Sequence, residues 1–201
     1  MKEEFYTDKR WLNWMNKVKD SKFSLPESDE KTSGGAVFVY IMDDVILACL
    51  KVIARWQREV LPAEEAIAEI DNIRKIVYQD HESLGEDADL MLDSLKTSLA
   101  AVFVSCQRFI EESYDKETPL PQMINEAVEA EQQEKIDEAF DKLSQVGARV
   151  IGGETVPEEV MAEMQFSLAA ELLDGIDAIS AAMIGDDSYK EDDGTECGEE
   201  I

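Results

Sequence analysis

Residues 40–50 read YIMDDVILACL, and two adjacent acids, Asp43 and Asp44, interrupt the most apolar run of the chain. The reading of this run decides the fold. A membrane span needs about 20 residues largely free of charge. The aspartate pair and Lys51 argue against one here. On a helical wheel of 100° per residue, Ile41, Met42, Val45, Ile46, Cys49, Val52, Ile53 and Trp56 fill one arc of roughly half the circumference. Tyr40, Asp43, Asp44, Lys51, Arg55 and Arg58 fall on the other side. The aspartates therefore break the run in sequence but leave the apolar face intact in space. The spacing predicts an amphipathic helix over about 35–60, whose carboxylates meet Lys or Arg of this helix or a neighbour. Leu47 and Ala54 lie within the polar stripe, which predicts that it is partly covered.

Working outward, helix signals dominate. In a first helix over about 8–20, with Thr7 as N-cap, Trp11, Trp14, Met15 and Val18 recur at i, i+3, i+4 and i+7. SKFSLPESDEKTS (21–33) reads as a loop. Leu61-Pro62 breaks the second helix, and Pro62 suits the first position of a third, running to about 82. Gly85 stops it, and Asp87 is the expected cap of a fourth helix over 88–114. After TPLP (118–121) a fifth helix is expected over 121–150, amphipathic through Ile124, Val128, Ile136, Phe140, Leu143 and Val146. Gly152-Gly153 ends it. Thr155-Val156-Pro157-Glu158 has the form of a capping box opening a sixth helix, to about 184. The fold class expected is thus all-α: a bundle of about six helices in a single domain, 1–184, with the N-terminal helix docked on it. Residues 185–201 are too acidic to bury anything and are expected to be a disordered tail.

Charge is the other outlier, −27 overall and unevenly placed. Residues 1–22 hold six basic and four acidic side chains, whereas residues 111–201 hold five and 26. Such a field repels nucleic acid and anionic membrane, because phosphate contacts need Lys and Arg. It suits a basic protein partner. Cys49, Cys106 and Cys197 are far apart and form no CxxC pair. With no apolar leader in MKEEFYTDKRW, this predicts a reducing, cytoplasmic setting.

Several chemistries are excluded or disfavoured. The lone histidine, His81, cannot build the two Glu-x-x-His pairs of a di-iron bundle, and there is no HExxH. Asp80-His81-Glu82 reads as solvated. No register of the acidic tail fits a calcium loop. Gly34-Gly35 and Gly152-Gly153 lack the context of phosphate-binding loops. Cys49 and Cys106 fall on apolar stripes and read as core. No cofactor is implied.

Two groups of candidate residues remain. Trp11, Trp14 and Lys17, on the aromatic and basic first helix, are candidates for partner binding. Asp43 and Asp44 are candidates for an all-carboxylate site holding Mg²⁺. The favoured function is a non-enzymatic acidic interaction protein that binds another protein through its acidic face or its first helix. The alternative is a ligand- or Mg-binding regulatory domain or enzyme centred on Asp43 and Asp44. The broad apolar stripes of the last two helices also make a homodimer plausible.

DDVILACLKVIARW, following FYTDKRWLNW, resembles an uncharacterised archaeal protein family known largely from methanogens. The resemblance covers about residues 5–82. It implies a cytoplasmic archaeal protein, and it carries no activity and no residue role.

Overall fold

The computed structural model describes residues 4–25, 34–164 and 167–185. Eight helices occur among them, with no β-strand: α1 (Asp8–Ser21), α2 (Ala36–Gln57), α3 (Ala63–Val77), α4 (Glu86–Glu111), α5 (Leu120–Gln132), α6 (Ile136–Ile151), α7 (Glu158–Glu163) and α8 (Leu168–Gly185). The all-α class expected from periodicity holds. The count is higher because two expected helices are each divided. The expected acidic tail, beyond Gly185, lies outside the described residues.

The run that opened the sequence is the well-covered helix α2. Ile41, Val45, Ile46, Cys49, Val52 and Ile53 are buried, as the wheel requires. α4 lies at the centre, packed against α2, α3, α6 and α8. Small residues let it approach its neighbours. A Cβ on Gly147 of α6 would lie 2.8 Å from Ser105 Cβ, and one on Gly175 of α8 would lie 2.9 Å from the Ser98 carbonyl carbon. The pairs Ser94–Glu171 and Ser98–Gly175 advance together along α4 and α8, so these helices run parallel.

Thr7 caps α1 as expected, accepting from Arg10 N at 3.1 Å. Other termini differ from expectation. Asp87 is not the cap of α4. It lies in the first turn and accepts from Leu25 N at 2.9 Å, while Asp89 takes Leu84 N. The Thr155–Glu158 capping box does not form; Pro157 precedes α7 without a side-chain cap.

The expected helix over 121–150 reverses at Gln133–Lys135. Lys135 N bonds to Ala130 O at 2.9 Å, and Glu134 between them is left-handed at φ 60°. This is the hydrogen-bonding pattern that commonly ends a helix with Gly, here completed by Glu. The reversal lays α6 back along α5: Lys142 meets Glu126, and Arg149 meets the Thr118 carbonyl. A straight 30-residue helix would be about 45 Å long and would leave much of its stripe uncovered. The folded-back pair buries Ile124, Ala127, Leu143 and Val146. Likewise Leu172, Leu173, Ile176 and Ile179 of α8 are buried within the chain. The stripes that suggested surplus apolar surface are therefore largely consumed internally, although Ile136 and Ile184 remain exposed.

Candidate functional site

The sequence candidates meet where α1 lies on α2. Trp11, Met15 and Val18 form the buried stripe of α1, and Trp11 is only 2% exposed. Arg10 and Trp14, one turn apart, face Asp44. Arg10 grips the carboxylate in a two-pronged ion pair, with Nε donating to Oδ2 at 3.0 Å and Nη2 donating to Oδ1. Trp14 Nε1 donates to Oδ2 at 2.7 Å. The Asp44 side chain is 14% exposed, so these donors replace most of its water. This planar fork on a carboxylate is the strong, geometrically specific form of ion pair.

Two further groups close the cluster. The Tyr6 ring lies under the Arg10 guanidinium at 5.2 Å, and Lys17 Nζ sits 4.1 Å above the Trp14 ring. The Tyr6 hydroxyl is buried without a well-placed hydrogen-bond partner. Burial first, and then the negative charge of Asp44, push its pKa above the ordinary tyrosine value.

Asp43 is placed differently. Neighbours on a helix diverge by 100°, and Asp43 has no ion pair among the described residues. Partial desolvation raises its pKa. The two aspartates therefore do not form one chelating pair. Among the described residues no three His, Cys, Asp or Glu side chains are grouped to hold a metal ion. Cys49 and Cys106 are buried and in contact across α2 and α4; their mutual hydrogen bond, then burial, raises the Cys49 pKa. Cys197 lies outside the described residues.

Trp11, Trp14 and Lys17 thus share α1 but not one environment: Trp11 is buried, Trp14 half-buried and Lys17 exposed. Trp11 is core, the Trp14 N–H is occupied by Asp44, and Lys17 covers the Trp14 ring. Arg10 was the unmarked member. The Arg10–Trp14 spacing of four, beside a Tyr four residues earlier, was the available signal; nothing in sequence linked it to a residue 34 positions on.

The chain matches the family described as "uncharacterized protein conserved in archaea" (DUF2150) over residues 4–192. The chain belongs to this family. The match extends well beyond residues 5–82, so the acidic helices α5 to α8 are part of the family's pattern and not an appendage. No curated protein and no solved structure matches the chain. Among the described residues no helix is long and apolar enough to cross a membrane.

The C-terminal half has its own electrostatic order. Residues 111–185 contain 18 acids and four cations. Lys142 pairs with Glu126, Arg149 with Glu154, and Lys135 with Glu138; Lys116 lies over the Tyr114 ring. Arg108 of α4 takes Asp141. The remaining acids include exposed Glu129, Asp137, Asp174 and Asp177, none of them ion-paired among the described residues.

Proposed function

We propose that the protein is a non-enzymatic interaction protein whose acidic face, on α5, α6 and α8, binds a basic surface of another protein. The observation that carries this reading is that the few cations of residues 111–185 are already engaged at home. Most of the carboxylates around them are left uncompensated at the surface. Such a field steers a basic partner and suppresses acidic ones. The first helix supports the same reading by elimination, because its apolar stripe is spent on α2 and the core. An all-carboxylate metal site is a weaker reading, since a cation at Asp44 would have to displace Arg10 and Trp14.

The test is capture from native lysate at about 0.1 M and 1 M salt, where the screening length falls from about 10 to 3 Å. A single partner retained only at low salt is expected. The charge-reversal pair Glu129→Lys with Asp137→Lys should release it, and Lys17→Glu should not. Retention by the first variant with loss in the second would refute the acidic-face assignment. Sedimentation of the purified protein separates a homodimer from a hetero-complex.

A further inference from the structure

A groove of about 410 Å³ separates α1 from the segment 79–84 that leads from α3 into α4. Trp11, Leu12, Met15 and Leu84 give it an apolar lining. Its lips carry opposite charges, Lys9 and Lys19 on α1 against Asp80 and Glu82 opposite. None of these four is ion-paired among the described residues. With Asp8 of α1 also lining it, the groove carries three acids against two cations, a small net charge that gives little hold on a free ion.

Two ring nitrogens on residues lining this groove have no hydrogen-bond partner among the described residues. Trp11 Nε1 is buried without an acceptor, and His81 Nε2 is buried without a donor or acceptor. Buried polar groups are hydrogen-bonded in the great majority of cases. Here two exceptions fall on residues, from different elements, that line one groove. An indole N–H only donates, whereas the free nitrogen of a neutral imidazole accepts. A carboxamide or lactam edge offers the complement of both: a carbonyl oxygen beside an N–H.

We propose that this groove binds a small, uncharged, planar molecule bearing an amide edge. Its carbonyl accepts from Trp11 Nε1–H, its N–H donates to His81 Nε2, and its body lies on Leu12, Met15 and Leu84. The volume falls in the lower part of the range of about 300–1,000 Å³ usual for small-ligand pockets. Both nitrogens are closed off from water, so the ligand parts the lining side chains to reach them. Leu12, 59% exposed, is a lip residue with little packing to hold it. This inference does not rest on the acidic-face reading.

The test uses full-length ¹⁵N-labelled protein titrated with 2-naphthamide, with naphthalene as the probe lacking the amide. Three indole N–H resonances are present, from Trp11, Trp14 and Trp56. Trp11→Phe assigns the first; if that variant does not fold, Trp56→Phe and backbone assignment identify it by elimination. The expected result is a downfield shift of Trp11 alone with 2-naphthamide and none with naphthalene. His81→Phe should weaken binding about fivefold, the usual worth of one neutral hydrogen bond. Leu12→Arg, at an exposed site, should block the groove with the helical spectrum intact. The proposal is overturned if Trp11 does not respond at saturating probe, or if naphthalene shifts it equally. A Trp11 N–H already hydrogen-bonded in the free protein would overturn it too.

Discussion

The Trp14 indole donates to the Asp44 carboxylate across 2.7 Å, joining a helix that begins at residue 8 to one that begins at residue 36. Arg10 completes the clasp from the next turn of α1. Asp44→Ala removes the acceptor for both, leaving the half-buried Trp14 N–H without this carboxylate and taking one ion pair from Arg10. We expect a loss of about 2 kcal/mol, in the range for charge-assisted hydrogen bonds. Urea unfolding should show a lower midpoint at unchanged slope. A double-mutant cycle with Trp14→Phe should give a coupling clearly above zero; additivity would show that the two side chains act independently.

Asp43 should behave in the opposite sense. Its pKa is raised above 3.8 by desolvation, so the folded state binds this proton more readily than the unfolded state. Its charge therefore costs stability above the raised pKa, and the cost disappears as pH falls below about 3.8, the unfolded value. Asp43→Asn should be neutral or stabilising at pH 7, with any advantage fading on acidification. A large loss of stability at pH 7 would show that the carboxylate has a partner it needs.

Asp115 organises the turn before α5. It accepts from the Thr118 hydroxyl and from the Thr118 and Glu117 amides, which hold its pKa down at about 2. A depressed carboxylate contributes stability above its unfolded pKa of 3.8 and loses it as pH falls towards 2. The stability gap between the wild type and Asp115→Ala should be open at pH 5 and closed near pH 2. A gap independent of pH would contradict this assignment.

Glu131 of α5 caps α8 from outside. Its two carboxylate oxygens accept from Leu168 N at 2.9 Å and Ala169 N at 3.1 Å, at the positive end of that helix. Glu131→Ala should cost about 1 kcal/mol, as losing an N-cap does. Glu131→Gln should recover part of it. Faster hydrogen exchange at the Leu168 and Ala169 amides, with little change in α1, is the local signature.

Gly175→Ala tests the close packing of α4 and α8. By propensity alone the change should stabilise a helix by about 1 kcal/mol. Here the added Cβ would meet the Ser98 backbone, which cannot move aside, so the sign should reverse to a loss of about 1–3 kcal/mol. A gain in thermal midpoint would show that α4 and α8 are not held this close.

Much of the fold was legible in the chain because its helices carry local signals. The α1 stripe of Trp11, Met15 and Val18, the Thr7 cap, and the α2 wheel need only periodicity and neighbouring residues to be read. The break after Gln132 was not legible, since EQQEK (131–135) contains neither Gly nor Pro. What ends α5 is the gain from folding α6 back so that both stripes are buried, enough to hold Glu134 in a left-handed conformation. The false capping box at Thr155 is the converse case, a local motif that the packing of α7 does not use.

The same division separates the Asp pair. Sequence by itself determined that Asp43 and Asp44 lie off the apolar face of α2, that the chain is helical, and that acid accumulates towards its C-terminal half. These follow from the 3.6-residue period and from composition, which are properties of short stretches. Only the tertiary structure decided that Asp44 is clasped by Arg10 and Trp14 while Asp43 has no ion pair among the described residues. It alone brought Trp11 and His81 to the lining of one groove. Those relations depend on which helix comes to lie beside which, and that is fixed by burying all the stripes at once.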